Sequence, residues 1–185
     1  MSNIIKPAVV LLIFSVVAAG LLGYVNQITA EPIAARELEA TQSSMKAVLP
    51  NADSFGETIE VNEGDVSSVT PAFDANKNEI GYAVAITTKG FSAGLKLMYG
   101  VDSNGVITGL SIVDCSNETP GLGANAANES FYSLFTGKTS GVAVDKDGGE
   151  IESITGATIT SRAVANAANT AIDYVKENYL IGGVN

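Results

Sequence analysis

Apolar and polar positions divide this 185-residue chain into stretches of different period. From Pro7 to Val25 the side chains are almost continuously apolar, and no charge falls between Lys6 and Glu31. That charge-free run of 24 residues covers about 36 Å as a helix, enough to cross a bilayer core. Residues 31–49 then change to three- and four-residue intervals, with Leu38, Thr41, Met45, Val48 and Leu49 on one side. This predicts a leader helix that ends before Pro50. Residues 51–68 are polar with weak strand signals, and a mobile segment is expected there. Residues 79–88 are rich in Tyr, Val, Ile and Thr and follow a turn-like run at 74–78, so a strand is predicted. Residues 94–101 place Leu95, Leu97 and Tyr99 on one strand face. Asp102-Ser103-Asn104-Gly105 is a turn signal into a strand over 106–113, and the two strands are expected to pair as an antiparallel hairpin. A short helix is predicted over 128–135, a strand over 141–144 and a turn over 145–149. The last element, 161–179, is the clearest helix. Val164, Ala168, Ala171, Ile172, Val175 and Tyr179 form its buried face, with Thr160 or Ser161 as N-cap.

The pattern implies an α+β fold: an N-terminal transmembrane helix, then an antiparallel sheet packed with helices. The expected divisions are a cytoplasmic N-terminus at 1–6, the transmembrane helix at 7–29, the leader helix at 30–50 and an extracytoplasmic domain at 51–185. A cleaved signal peptide is the competing reading of the start. Its apolar region would be shorter, and Ile28-Thr29-Ala30 with Pro32 behind it is a poor cleavage site. No Cys follows the apolar run, which excludes a lipoprotein anchor. Tyr24 sits where an interfacial aromatic belongs, and Lys6 with the terminal amine marks the start as the cytoplasmic side. The expected location is the cell (inner) membrane, single-pass, with the C-terminal domain outside.

Composition removes several chemistries. The chain has no His, no Trp and one cysteine, Cys115. No Ser-His-Asp or Cys-His machinery, no zinc site built on His or Cys and no internal disulfide can be assembled from it. Net charge is −10, and residues 1–30 hold one Lys and no acid. The remainder sets 9 Lys and Arg against 20 acids, a charge of −11. So acidic a body repels nucleic-acid backbones, and no nucleic-acid partner is expected.

Two constellations remain as candidate chemistry. In Thr155-Gly156-Ala157-Thr158-Ile159-Thr160-Ser161, small and hydroxylated residues crowd into a turn before the final helix. Unpaired N–H groups and the positive end of the helix dipole converge at such a turn, which suits a phosphate; the same residues also suit a plain helix cap. In Glu118-Thr119-Pro120-Gly121-Leu122-Gly123, Pro and two glycines constrain a loop with one large apolar side chain, Leu122. It can lie against a flat ring while Thr119 or Glu118 addresses the polar edge, or it can simply connect a strand to a helix.

Together, and in this order behind an apolar anchor, these motifs resemble the FMN-binding G subunits of the Rnf electron-transport complex. The C subunit of the sodium-translocating NADH:quinone reductase is a relative of that family. The resemblance also takes in Gly81-Tyr82-Ala83, Lys89-Gly90-Phe91 and Asp102-Ser103-Asn104-Gly105-Val106-Ile107. The family usually has Asp where this chain has Glu152, and often a basic or polar residue where it has Asn117.

The resemblance implies covalent FMN, joined by a flavin transferase through a phosphoester to Thr158. It places Thr155, Gly156, Ala157 and Thr160 around the phosphate, and Glu118, Thr119, Gly121, Leu122 and Gly123 against the flavin. It implies no metal and no catalytic acid or base of the chain's own. The function implied is a membrane-anchored electron carrier working with the other membrane subunits of an ion-translocating ferredoxin:NAD oxidoreductase. Two alternatives from other classes are a stand-alone extracellular flavoprotein reductase and a non-redox anchored surface module.

Overall fold

In the computed structural model, residues 2–180 are described. The chain divides into two compact units, Met1–Ala40 and Thr41–Asn185. Helix α1 spans Ser2–Val48 and is the one helix, among the described residues, long and apolar enough to cross a membrane. The anchor and the leader helix expected on either side of residue 30 are therefore one element. Pro32 lies inside it, where it forgoes one backbone bond without ending the helix.

In the second unit, six strands form one antiparallel sheet: β1 (Ser54–Phe55), β2 (Ile59–Glu63), β3 (Val66–Phe73), β4 (Glu79–Lys89), β5 (Ala93–Asp102) and β6 (Ile107–Asp114). The order is β1-β3-β4-β5-β6, with β2 pairing β3 beside β1. The mobile segment expected over 51–68 is thus mostly strand. Its backbone is held by β3 (Ile59 opposite Val69, Glu60 opposite Ser68), and Val61 packs against the core while Glu60 and Glu63 stay exposed. The expected β5–β6 hairpin is present, with Tyr99 opposite Leu110. Asp102 closes its turn by accepting the Asn104 and Val106 N–H groups at 2.8 and 2.9 Å.

Strand alternation sends side chains to two cores. On one face Tyr82, Val84, Ile86, Leu95, Leu97, Tyr99 and Val101 pack against helix α3 (Thr158–Val175) and against Phe131 and Phe135. The buried Tyr99 hydroxyl donates to the Val164 carbonyl of that helix at 2.7 Å. On the other face small residues, Ala72, Ala83 and Ala85, with Met98, receive Met45, Val48 and Leu49 from the end of α1.

The helix expected over 128–135 is α2 (Glu129–Tyr132), continued by a 3-10 turn to Phe135. The strand expected over 141–144 does not form. A single bridge joins Val144 to Ile151, and the Val142 backbone is bonded on both sides by the Asn169 side chain at 2.8 Å. Helix α3 begins three residues earlier than the periodicity suggested, at Thr158, and continues into a π-helical turn at Lys176–Leu180.

Candidate functional site

The first turn of α3 differs from the cap expected of it. Ala157, with φ −129° and ψ 41°, occupies the N-cap position, and no side chain caps the helix. Thr160 and Ser161 lie inside the helix instead. The Ser161 hydroxyl accepts the Ile154 N–H and donates to the Ala157 carbonyl, both at 3.0 Å. Thr160 is buried and donates to Glu118 Oε2 at 2.6 Å. Ser161 is the first helical residue whose N–H finds a backbone acceptor outside the helix proper, at 3.0 Å on Ala157. The N–H groups of Thr158, Ile159 and Thr160 are left for a ligand or water, at the positive end of an 18-residue helix.

Beside that turn lies a cavity of about 300 Å³, lined by Phe91, Thr119, Leu122, Gly123 and residues 156–160. The two sequence motifs therefore meet in space. Gly156 makes the approach possible: its φ is +74°, and a Cβ there would lie 3.0 Å from Leu122 Cδ2. Thr119, Leu122, Gly123, Gly156, Ala157, Thr158 and Thr160 are all brought to this cavity. Thr155 is not; with Gly121 it faces a neighbouring depression on the other side of Leu122, lined also by Asn125, Asn128 and Glu152. Glu118 does not line the cavity either. It is 3% exposed, and its other oxygen, Oε1, accepts the Ser92 N–H at 3.1 Å.

Two lining residues, Phe91 and Ile159, belong to stretches named from sequence but not to the site residues expected there. They are 64% and 54% exposed, and with Leu122 at 41% they give the cavity an apolar rim. Phe91 carried a legible signal, a large aromatic set between Gly90 and Ser92 in the connection from β4 to β5. Ile159 carried none, since beside Thr158 it reads as an ordinary helical position.

Charge around the α3 start is arranged in pairs. Arg162, one turn into the helix, donates to both oxygens of Asp147 at 2.7 Å. That guanidinium holds the Asp147 carboxyl below the usual carboxylate range. Asp145, two residues before it, accepts the Ser153 N–H at 3.0 Å. Hydrogen bonding from Ser153, with Lys146 adding to it, brings Asp145 down to about 2. These bonds fasten residues 145–153 ahead of the Thr155 turn. Cys115, half-buried and 3.9 Å from the Ala124 carbonyl, has its thiol pushed up by burial and by Asp114 and Glu118. An uncharged thiol of that kind is a poor nucleophile.

An uncapped helix start, a glycine that lets Leu122 close over it and an apolar rim suit a ligand with an anionic end and a flat apolar body. Comparison with known proteins agrees. An FMN-binding domain model matches residues 90–173, and a model of the RnfG N-terminal region matches residues 1–48. The G subunit of the ion-translocating oxidoreductase complex of Methanosarcina acetivorans is 32% identical, over 94% of this chain and 95% of that protein. The G subunit of the Na(+)-translocating ferredoxin:NAD(+) oxidoreductase complex of Acetobacterium woodii is also 32% identical, over 91% and 90% of the two chains. A crystal structure of the C subunit of Na(+)-translocating NADH-quinone reductase from Parabacteroides distasonis shares the fold, with a TM-score of 0.58 at 23% identity over 82% of this chain and 97% of that one. With both parts matched and relatives aligned along almost the whole length, the chain belongs to the RnfG family of ion-translocating oxidoreductase complexes, membrane-associated proteins built on an FMN-binding domain.

Proposed function

We propose that this protein is a single-pass electron carrier that holds FMN covalently, through a phosphoester on the Thr158 hydroxyl. The observation that carries the reading is the position of Thr158. It is the first residue of an uncapped helix, half-buried, at the edge of the cavity where both motifs meet. A phosphoryl group on its Oγ1 stands where the open N–H groups of the first turn and the helix dipole favour negative charge. Phe91, Leu122 and Ile159 give an apolar surface for the flat ring, and Thr119 offers a hydroxyl beside it. Bound flavin supplies the one- and two-electron chemistry; the chain's own residues bind it, orient it and keep water from one side of it.

The anchor supports a cytoplasmic start with the acidic domain on the extracytoplasmic side, because Lys6 is the only charge before Glu31. There a covalent tether prevents loss of a scarce cofactor. The working partners are the other membrane subunits of an Rnf-type complex, with a flavin transferase acting once in maturation. That both relatives named above are G subunits of ion-translocating complexes supports a place in such a complex.

Co-expression with a flavin transferase should add one FMN-sized mass to the intact protein and give gel-resistant yellow fluorescence. Thr158→Ala should lose both. Fluorescence that survives denaturing electrophoresis in that variant would place the attachment elsewhere.

A further inference from the structure

Glu118 is the one buried acidic side chain among the described residues. Its two oxygens serve different parts of the chain. Oε1 accepts the Ser92 N–H at 3.1 Å and Oε2 accepts the Thr160 hydroxyl at 2.6 Å. Ser92 follows Phe91 in the β4–β5 connection, Thr160 stands two residues after Thr158, and Glu118 itself opens the loop that carries Leu122. Each of the three walls of the cavity thus either contains this residue or is bonded to it.

The surrounding glycines leave space for the carboxylate. A Cβ on Gly90 would lie 2.4 Å from Oε1, and one on Gly123 would lie 2.2 Å from Oε2 and 2.7 Å from Thr160 Oγ1. A side chain at either position would displace the carboxylate from its two hydrogen bonds, so both glycines fit the group they enclose.

We propose that Glu118 is a positioning residue, holding Phe91, Leu122 and Thr158 in register around the cavity. The inference rests on reading that cavity as the flavin site. It also gives a physical reason for the two motifs to occur together: the Glu of the first accepts a hydrogen bond from the Thr two places beyond the Thr158 of the second.

Hydrogen-bond geometry, not charge, carries the role. The Ser92 N–H can only donate, whereas the Thr160 hydroxyl can donate or accept. In Glu118→Gln the amide oxygen keeps the Ser92 bond, and the hydroxyl turns to accept from the amide nitrogen. Both bonds survive. Thr160→Val has nearly the same shape and removes one of them, leaving a buried carboxylate with half its support.

The test is amide hydrogen exchange on the full chain in detergent micelles, without flavin. Thr160→Val should raise exchange at Ser92 about tenfold, the scale of one lost buried bond, with the β4 and β5 amides of Val84 and Tyr99 unchanged. Glu118→Gln should stay within about twofold of the parent at Ser92. An unchanged Ser92 in Thr160→Val overturns the proposal, as does a rise shared equally with Val84 and Tyr99. A Glu118→Gln protein as open as Thr160→Val also overturns it, because charge would then be the cause.

In flavinylated protein of equal FMN mass, the visible circular dichroism of the flavin should weaken in Thr160→Val and persist in Glu118→Gln. Its persistence in both variants counts against positioning. If the parent protein gains no FMN mass, the flavin reading fails and the exchange arm still decides the role of Glu118. If the mass appears and exchange does not respond, positioning alone fails.

Discussion

At the scale of single residues, Gly156 sets how closely the two motifs approach. Its φ of +74° is a left-handed conformation that residues with side chains rarely adopt, and a Cβ there would press on the end of the Leu122 side chain at 3.0 Å. Gly156→Ala therefore meets two costs at once: backbone strain of about 1–2 kcal/mol and displacement of Leu122. The variant should lose about that much unfolding free energy and so unfold at a lower urea concentration, and its flavin yield on co-expression should fall below that of the parent. An unchanged urea midpoint would show that the turn relaxes freely. Thr160 belongs to the same scale. A hydroxyl just inside a helix reads locally as a cap, and what removes it from that role is Glu118, a partner distant in sequence.

Among the elements, the contact of the α1 end with β5 and β6 is unusually close. A Cβ on Gly100 would lie 2.3 Å from the Val48 carbonyl oxygen and 2.4 Å from Thr108 Oγ1, and one on Gly109 would lie 3.0 Å from the Val48 Cα. The Thr108 hydroxyl donates to that same carbonyl at 2.5 Å, satisfying one of the groups a helix leaves open at its C-terminal end. Gly100→Ala drives a methyl group against the Val48 backbone carbonyl and should destabilise the domain by about 2–3 kcal/mol, whereas Thr108→Val should cost about 1 kcal/mol. Denaturant unfolding of the full chain in detergent measures both, and equal effects would argue against steric closeness as the cause.

The elements also differ in how far sequence revealed them. Strands β4, β5 and β6 and helix α3 were legible because each buries a regular set of apolar residues, such as Leu95, Leu97 and Tyr99. Strand β2 was not, because the exposed Glu60 and Glu63 interrupt its apolar pattern around Val61 and its conformation rests on pairing with β3. Residues 141–144 mimic a strand, but the partner of Val142 is the Asn169 side chain, which no local pattern announces. The site follows the same rule. Its motifs are local and were readable; their meeting at one cavity, the inward turn of Glu118 and the contribution of Phe91 are products of packing.

For the whole molecule, the distribution of titrating groups sets how stability responds to pH. With no His in the chain, no side chain has its ordinary pKa between about pH 6 and 8. On the acid side, five exposed or half-buried carboxyls are held below their usual range by partners in the fold: Asp74 by Asn78, Asp114 by Ser116, Asp145 by Ser153, Asp147 by Arg162 and Glu150 by Lys138. A lowered folded pKa means that the unfolded chain binds more protons near pH 3. Their stabilisation is complete above about pH 4 and fades as pH falls toward the value of about 2 reached by Asp145. On the alkaline side the sign reverses. Burial raises Tyr82, Tyr99, Tyr174 and Tyr179, and Tyr99 is fully enclosed. Their contribution is complete below about pH 10 and is lost above it, as unfolding releases phenol protons that the fold retains. Thermal unfolding of the full chain in detergent should therefore give a midpoint that is level from about pH 6 to 8, declines below about pH 4 and declines again above about pH 10. Tyr99→Phe separates the alkaline limb from general alkaline damage: it should shift that limb upward in pH while leaving the acid limb in place. A midpoint that steps between pH 6 and 8, or an alkaline limb indifferent to Tyr99, would show that stability is controlled by groups other than these.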